Sequence, residues 1–259
     1  MDAWHTLRQF TQARIAQGRS GCGITTAALL EFQLAHAAAR DAVLAEWDAR
    51  ATEETLRLAG LPTLRLETRA VSRMAYLLRP DLGRLLSEVS RARLSLPAHS
   101  PVDVALILTN GLSSTAVMEH GLGLVLAVTA ALSDQGLALS PVCLAPNGRV
   151  ALSDDIGPLL GARLAVVIVG ERPGLSAADS LGLYLTHDPG PGKSDADRNC
   201  LSNIRPPQGL SYQAAARKLA YLIQKARVVG YSGVNLKDDM PEDRLPAVPG
   251  EPIPGPIAR

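Results

Sequence analysis

The stretch VVIVGERPGLSAADSLGLYLTHDPGPGKSDADRNCLSNIR, residues Val166–Arg205, indicates the fold more clearly than any other part of the chain. Its first four residues are apolar and β-branched, which is typical of a buried strand. Gly-Glu-Arg-Pro-Gly follows at once and predicts a sharp turn that carries the charged pair Glu171 and Arg172. Ligands of open α/β sheets lie beyond the carboxyl ends of the strands, so this turn is a candidate ligand site.

A long polar stretch, Asp188–Pro207, shows no clear periodicity and is predicted to be an irregular loop around Cys200. Long loops without secondary structure are usually functional or disordered, and this composition suits a ligand rim or a subunit contact. Cys200 is also a candidate nucleophile, because Arg198 and Arg205 would favour its thiolate form. No general base is evident nearby in the sequence, so this alternative is the weaker one.

Working outward, strand patterns alternate with helical patterns in the second half of the chain, whereas the first hundred residues have helical periodicity. Strands separated by helices predict parallel pairing with right-handed crossovers. The predicted fold is therefore α/β, with an N-terminal helical region followed by a Rossmann-like parallel-sheet domain. The predicted strands are Val102–Leu108, Leu137–Leu144, Leu164–Val169 and Leu181–Leu185, and the helices among them are Ser113–Asp134, Asp154–Leu160 and Ser211–Val228.

Changes of pattern divide the chain into residues 1–98, the helical region, residues 99–237, the Rossmann-like domain, and residues 238–259, a tail with six prolines. The tail has few apolar residues and is predicted to be disordered. Within the helical region, we expect a short helix that ends at Gly18. We expect the helical period to continue through Val71–Val89, with a kink or a new start at Pro80.

The composition excludes several classes of protein. The chain has 259 residues, is 47% hydrophobic and 20% charged, and carries a net charge of +1, so a general attraction to nucleic acid or anionic lipid is not expected. Three widely spaced cysteines predict no disulfide framework and a reducing cytoplasm. The uncharged stretch Gly121–Leu132 is too short for a bilayer, which needs about 20 residues. It is predicted to be the buried half of a core helix.

Two glycine-containing segments fall short of nucleotide-binding motifs. Gly18–Thr26 lacks the lysine of a phosphate-binding loop. Asn110–Ser114 follows the first predicted strand but lacks the second and third glycines of a dinucleotide fingerprint. A dinucleotide-dependent oxidoreductase is therefore weakened but remains an alternative. No histidine pairs with another histidine or a cysteine at metal-ligand spacing, so no metal site is predicted.

A series of short motifs, in the same order over most of the chain, resembles the small (light) subunit of ethanolamine ammonia-lyase. Each motif alone is weak, but together they extend to Lys237. The motifs are Leu7–Ala16, Phe32–Val43, Arg79–Gly83, Gly148–Ala151, Asp155–Gly157, Gly170–Ser176, Arg198–Pro206 and Ser232–Val234.

The resemblance implies an adenosylcobalamin-dependent enzyme that converts ethanolamine to acetaldehyde and ammonia by radical chemistry. In this family a large subunit, a TIM barrel, carries the substrate site, and the small subunit covers the cobalamin from the other side. We therefore expect a non-autonomous subunit with no catalytic residue of its own, whose N-terminal helices contact the large subunit. Small residues such as Ala35 and Ala39 would let a partner helix approach; internal packing is the alternative.

The same resemblance implies three cobalamin-binding residues. They are Val150 in Gly-Arg-Val, Glu171 in Gly-Glu-Arg-Pro-Gly and Cys200 in Asn-Cys-Leu-Ser-Asn. No histidine stands in an Asp-x-His-x-x-Gly frame, the pattern in which a protein histidine replaces the cofactor's own base on cobalt. The dimethylbenzimidazole of the cofactor is therefore expected to stay on the metal.

One further alternative remains beside the oxidoreductase: a stand-alone cobalamin carrier or chaperone without a catalytic partner. It uses the same three residues and differs only in lacking the large subunit. For the enzyme subunit the expected location is the cytoplasm, with both the free cytosol and the interior of a bacterial microcompartment open.

Overall fold

The computed structural model describes residues 6–11, 13–95 and 102–241, and within these ranges the chain forms seven α-helices and six β-strands. The helices are α1 (Thr26–Leu44), α2 (Ala49–Leu58), α3 (Arg73–Leu78), α4 (Glu88–Leu94), α5 (Ser114–Ser133), α6 (Ser153–Leu159) and α7 (Tyr212–Val229). The strands are β1 (Thr63–Arg65), β2 (Val104–Thr109), β3 (Val142–Leu144), β4 (Leu164–Gly170), β5 (Leu181–His187) and β6 (Arg198–Ile204). Short 3₁₀ helices are Arg8–Phe10, Leu82–Arg84, Val150–Leu152 and Asp195–Asp197.

Most of these helices begin at a residue whose side-chain oxygen accepts a backbone N–H of the first turn. Such a cap satisfies a donor that would otherwise lack a partner at the helix start. Thr25 caps α1 and Ser113 caps α5, and α7 ends at Gly230 in the left-handed conformation with φ 80°. The capping residues are Thr25, Asp48, Ser72, Ser87, Ser113 and Ser211.

All six strands form one sheet in the order β1-β3-β2-β4-β5-β6. The first four strands in this order pair in parallel, with Val104 opposite Leu164 and Thr109 opposite Val169 between β2 and β4. The predicted α/β class, N-terminal helices before a mostly parallel sheet, is confirmed. The strand β1 was missed, because it lies within the region for which only helices were predicted; it pairs with β3 at one edge of the sheet.

At the other edge, the prediction of parallel pairing is wrong. β5 is antiparallel to β4, and β6 is antiparallel to β5. Residues 171–180 and 188–197, which connect these strands, contain no α-helix. Parallel neighbours need a crossover of about a dozen residues or more, usually helical, so these shorter connections produce hairpins.

The two faces of the sheet are covered unequally. α5 and α7 pack on one face, over Leu106, Val166 and Leu183, which are buried. α6 packs on the opposite face, over Ile107 and Val167, with α4 behind it. This second layer covers Thr186 on β5 and Arg198 on β6 but stops short of the rest of these strands. Tyr184 is therefore only half-buried on that face, Cys200 and Ser202 are exposed, and the cleft described below opens there.

Three further predictions are corrected by the structure. Arg198–Ile204 in the predicted irregular loop is strand β6, because its alternate residues can pack at the edge of the sheet. The helical period predicted through Val71–Val89 is broken into α3, a 3₁₀ turn and α4, with Pro80 between the first two. The short helix that was predicted to end at Gly18 ends earlier, because in the described residues its helical structure stops at Phe10 and residues 13–19 contain none.

One described helix, α5, is long and apolar enough to cross a bilayer by length and composition alone. In the fold it packs against α7 and β4, and Leu124, Val125 and Val128 are fully buried. The prediction that Gly121–Leu132 belongs to a core helix is therefore confirmed. The boundary predicted between residues 98 and 99 and the predicted tail beyond Pro241 lie outside the described residues.

Candidate functional site

A cleft of about 440 Å³ lies at the carboxyl ends of β2 and β4. The chain leaves β2 through α5 on one face of the sheet and reaches β4 through α6 on the other face, so these neighbouring strands flank the topological switch point. Open α/β sheets bind ligands at such points. The cleft is lined by Tyr76, Gly111, Leu112, Arg149, Val150, Val169, Gly170, Glu171, Arg172, Tyr184 and Ser202.

The turn after β2 forms the floor of the cleft and requires glycine. Gly111 has a φ of 48°, and a Cβ there would lie 2.3 Å from a side-chain carbon of Val169 and 2.4 Å from the carbonyl oxygen of Gly170. The Leu112 amide donates to that same carbonyl at 2.9 Å. The ends of β2 and β4 are thus held together, which fixes the start of the turn that carries Glu171.

The N-terminal region contributes one wall of the cleft through Arg73 and Tyr76. The Arg73 guanidinium is buried and donates to the carbonyl oxygens of Val43 (2.7 Å), Gly111 (2.6 Å) and Leu112 (3.1 Å). It therefore joins the end of α1 to the turn after β2. Its Cζ lies 5.1 Å from the ring centre of Tyr76, which places this ring at the cleft.

The Glu171 carboxylate lies in the cleft and is held by hydrogen bonds from the β5–β6 hairpin. Its Oε1 accepts from the Ser202 hydroxyl at 2.6 Å, and its Oε2 accepts from the Ser180 hydroxyl at 2.6 Å and from the Asn203 amide at 3.2 Å. Gly182 leaves room for it, since a Cβ there would lie 2.9 Å from Oε1. The carboxylate is therefore a fixed acceptor, with lone pairs left to receive a further donor.

Cys200 lies on the uncovered face of β6, directly opposite Tyr184 on β5. It is close to the cleft, which Tyr184 lines, but it is not itself a lining residue. Neighbouring atoms shield the sulfur from water, and this desolvation raises the pKa of the thiol. The hydrogen bond with Tyr184 lowers that pKa, and the negative charge of Glu171 raises it. The thiol is therefore kept protonated at neutral pH.

The structure contradicts the alternative in which Cys200 is a nucleophile activated by Arg198 and Arg205. Arg198 is buried and pairs with Asp154, and Arg205 pairs with Asp179 at 2.9 Å. Neither guanidinium therefore remains free to stabilise a thiolate, in agreement with the raised thiol pKa.

Val150 begins the 3₁₀ helix after β3 and lies on the side of the cleft opposite the β5–β6 hairpin. Half-buried, it packs against the core beneath α6 and leaves part of its side chain in the cleft. The structure thus places Val150 and Glu171 in one cleft, with Cys200 beside it across Tyr184. The carboxyl-end geometry of an α/β sheet accounts for this grouping.

A family model of the ethanolamine ammonia-lyase light chain matches residues 1–237. The chain belongs to this family. It is 48% identical over 245 residues to a protein of Azotobacter vinelandii named ethanolamine ammonia-lyase small subunit, which covers 93% of this chain and 90% of that protein. Proteins of the same name in Pseudomonas fluorescens and Pseudomonas aeruginosa are 48% and 47% identical, over 91% and 96% of this chain and 86% and 90% of theirs. A light chain of this family is a component of a lyase.

Four residues of the light-chain cleft, Tyr76, Arg149, Tyr184 and Ser202, were not singled out from the sequence. Ser202 and Tyr184 face the cleft because β5 and β6 form a hairpin, whereas the segment of β6 was predicted to be an irregular loop. Tyr76 comes from the helical region and reaches the cleft through the contacts of Arg73, for which the sequence carries no local signal. Arg149 stands next to Val150 in Gly-Arg-Val, so the family motif itself could have indicated it.

Outside the cleft, the light chain brings Glu119, His120 and Asp179 together with their ligand atoms within 4.8 Å of one another. The ring nitrogens of His120 lie 2.8 Å from the Tyr212 hydroxyl and 3.3 Å from Asp179 Oδ2, and the other Asp179 oxygen accepts from Arg205. Both ring nitrogens of His120 thus have protein partners, and the Asp179 carboxylate is bound by the Arg205 guanidinium. The cluster is a hydrogen-bonded network that fixes the β4–β5 connection.

Proposed function

We propose that this chain is the small subunit of an adenosylcobalamin-dependent ethanolamine ammonia-lyase and closes the cobalamin site against a catalytic large subunit. The reaction is the conversion of ethanolamine to acetaldehyde and ammonia by a radical mechanism. Membership of the light-chain family supports the assignment to this enzyme. The relatives are named small subunit, which supports the existence of a larger partner subunit.

The observation that carries the proposal is the cleft at the switch point with the fixed Glu171 carboxylate inside it. A cleft of about 440 Å³ is in the lower part of the range for small-molecule sites and holds only part of so large a cofactor. The remainder of the cobalamin must then be enclosed by another chain. A cofactor that is enclosed partly by this chain and partly by another agrees with a subunit that covers it from one side.

The residues present suit the amide-rich periphery of a corrin ring. The Glu171 carboxylate can accept hydrogen bonds from amide groups, and its three existing donors hold it in place. Val150 supplies an apolar contact at the cleft wall. Cys200, protonated and on the uncovered face of β6, contacts the ring edge as a small, weakly polar group.

When bound, adenosylcobalamin supplies the radical by homolysis of its cobalt–carbon bond. Among the residues that the structure describes, none is identified as a base or nucleophile that would act on ethanolamine, so the substrate site is assigned to the large subunit. The contribution of the small subunit is to bind the cofactor, orient it and exclude water from the reacting radicals.

Contact with the large subunit is assigned to the N-terminal helices, residues 1–98. Only Ala28 and Ala42 of α1 are buried, whereas several large apolar side chains of this helix are exposed. An exposed apolar face of this kind marks a site of protein–protein interaction. The exposed residues are Leu29, Leu30, Phe32 and Leu34.

The proposed location is the cytoplasm, either free or inside a bacterial microcompartment. Cys22, Cys143 and Cys200 are all free thiols in the structure, which agrees with a reducing compartment.

The test is co-expression with the large subunit from the same genome, followed by co-purification and an assay of adenosylcobalamin-dependent acetaldehyde release. Glu171→Ala removes a charged acceptor, so we expect the cobalamin concentration for half-maximal activity to rise about tenfold or more. Asp134→Ala is the matched control, because this exposed carboxylate follows α5 at the opposite end of the sheet and should leave the requirement unchanged.

Each result has a distinct meaning. An active complex whose cobalamin requirement is unchanged by Glu171→Ala keeps the enzyme but removes Glu171 from the site. A chain that binds cobalamin but never associates with the large subunit is the stand-alone carrier, and the proposed function is then wrong.

A further inference from the structure

The backbone of Arg149 is fixed at the mouth of the cleft. Its amide donates to the Gly83 carbonyl oxygen at 2.8 Å. The preceding residue, Gly148, exchanges two hydrogen bonds with the Thr109 side chain at the end of β2, at 2.9 and 3.3 Å. A Cβ at Gly148 would lie 2.8 Å from that hydroxyl oxygen, so the close approach requires glycine. The position from which the Arg149 side chain starts is therefore well determined.

The guanidinium of Arg149 lies against the Tyr76 ring, with Cζ 5.3 Å from the ring centre. Stacking of this kind restrains an arginine side chain while its N–H donors stay available at the edge of the plane. Within residues 6–11, 13–95 and 102–241, the Arg149 guanidinium has neither an ion-pair partner nor a geometrically good hydrogen bond. It is thus a restrained, half-buried cation with unused donors.

The hydroxyl of Tyr76 is a second unused group at this place. It is buried and has no hydrogen-bond partner in the described part of the chain, and Tyr76 as a whole is 1% exposed. Burial raises the pKa of this hydroxyl, although the charges of Arg149 and Arg73 act in the opposite direction. The Arg149 guanidinium also approaches the hydroxyl oxygen and lowers the pKa, but without the geometry of a good hydrogen bond, so the hydroxyl stays protonated. A buried polar atom without a partner is costly, which indicates a partner that is absent from the isolated chain.

The carboxylate in the cleft does not neutralise this positive corner. Glu171 already receives hydrogen bonds from Ser180, Ser202 and the Asn203 amide. Arg172 adds a second guanidinium to the lining, and it too makes no ion pair within the described ranges. The cleft therefore has one end that accepts hydrogen bonds, at Glu171, and one cationic end, where the Arg149 guanidinium can only donate them beside the Tyr76 hydroxyl.

We infer that Arg149, with the Tyr76 hydroxyl beside it, binds the phosphodiester of the nucleotide chain that links the corrin ring of cobalamin to dimethylbenzimidazole. This inference rests on the proposed function, because it concerns the same cleft. The phosphodiester is the single anionic group of cobalamin, whereas the side chains of the corrin ring are neutral amides. A guanidinium binds a phosphate oxygen pair in a bidentate manner, so the cationic end of the cleft matches the one anionic group of the ligand.

The test compares the binding of two corrinoids by the assembled two-subunit complex. Cyanocobalamin carries the phosphodiester, and dicyanocobinamide lacks both it and the base. Equilibrium dialysis, followed by visible absorbance, gives both dissociation constants without any need for catalysis. We expect Arg149→Gln to weaken cyanocobalamin binding about tenfold or more, since a hydrogen bond to a charged group is lost, and to leave cobinamide binding unchanged.

Two further variants make the result specific. Arg149→Lys keeps the charge and should recover part of the preference for cyanocobalamin. If Arg149→Gln does not form the two-subunit complex, Arg149→Lys takes its place in the comparison of the two corrinoids. Arg217→Gln removes an exposed guanidinium from α7, which covers the opposite face of the sheet, and should change neither constant.

Several outcomes overturn the inference. Equal weakening of both corrinoids means that Arg149 supports the cleft without contacting the phosphodiester. A lysine variant as weak as the glutamine variant means that the guanidinium stacks on the base. If the Arg149 variants weaken the association of the two subunits but keep the wild-type preference for cyanocobalamin over cobinamide, Arg149 pairs with a carboxylate of the large subunit. If the wild-type complex binds neither corrinoid, the proposed function itself fails, which is distinguishable from failure of the Arg149 assignment alone.

Discussion

The guanidinium of Arg198 is enclosed between α6 and β5, and only 2% of its side chain is exposed. Its Nη2 donates to Asp154 Oδ2 at 2.6 Å, and its Nη1 donates to Asp154 Oδ1 at 3.1 Å and to Thr186 Oγ1 at 2.9 Å. This bidentate pair fixes the start of β6 beneath α6. The strand that carries Cys200 and Ser202 is therefore positioned by a residue that does not itself reach the cleft.

Removal of the Asp154 carboxylate should destabilise the chain strongly. Asp154→Ala leaves the Arg198 charge buried without its partner, and breaking a buried pair in this way costs about 3–5 kcal/mol in the free energy of unfolding. Urea unfolding measures the loss.

The matched control for this change is Asp195→Ala. Asp195 also lies near Arg198, at 3.8 Å from its Nε, but the Asp195 side chain is fully exposed. We expect no measurable loss of stability, because exposed pairs contribute little. Similar losses for the two variants would show that the buried geometry of Asp154 is not what stabilises β6.

At the scale of the elements, the β4–β5 connection is held at its far end by Asp179. The carboxylate pairs with Arg205 after β6 and with His120 on α5, and His120 contacts Tyr212 at the start of α7. The Ser113 hydroxyl donates to the Ala178 carbonyl oxygen at 2.7 Å in the same connection. Two helices and a strand thus fix the segment whose first residue is Glu171.

This network makes a pH-dependent contribution to stability. Burial alone would raise the pKa of Asp179, but hydrogen bonds from His120, the backbone and Arg205 outweigh it and lower that pKa below its ordinary value of 3.8. A carboxyl whose pKa is lower in the folded state stabilises the fold above its unfolded pKa. This contribution is lost as the pH falls through the folded value.

Asp179→Asn should therefore destabilise the protein more at pH 6 than at pH 3, as measured by urea unfolding at both values. The reason is that the lost contribution is present in the wild type only where Asp179 is ionised. Asp195→Asn, which removes an exposed carboxylate outside this network, serves as the control. A loss of stability for Asp179→Asn that grows towards acid pH would contradict a lowered pKa of Asp179 in the folded state.

The elements that could be predicted from the sequence were those with strong local signals. β2 and β4 are continuous apolar runs, and α5 and α7 have caps and a helical period, so their types were predicted correctly. The hairpin β5–β6 and the short strand β1 depend on long-range pairing, which leaves little trace in three to seven residues. Long-range contacts limited the prediction of the cleft as well. A turn at the end of a strand indicated Glu171, whereas Tyr76 reaches the cleft only through tertiary contacts.

At the scale of the whole molecule, two surfaces are not covered by any other described part of the chain. One is the part of the β5–β6 face that α6 leaves uncovered, beside the cleft, with Cys200 and Ser202 exposed. The other is the apolar face of α1, whose Leu30 and Leu34 are 59% and 73% exposed. In the proposed function, the first surface meets the shared cofactor and the second supplies apolar area for association with the large subunit.

The surface of α1 gives the last prediction. Leu30 and Leu34 are four residues apart and thus lie on the same face of the helix. If this face packs on the large subunit, the double change Leu30→Asp with Leu34→Asp places two charges in an apolar contact. The affinity between the subunits, measured by surface plasmon resonance, should then fall about a hundredfold or more.

Val228→Asp on α7 is the matched control for this double change, because Val228 is 85% exposed and lies outside the N-terminal region. It should leave the affinity between the subunits unchanged. The melting temperature of the isolated small subunit should be similar in all three proteins, since none of the changed side chains is part of its core. If the double variant associates as tightly as the wild type, α1 is not the contact, and the uncovered face of β5 and β6 becomes the surface through which the two subunits associate.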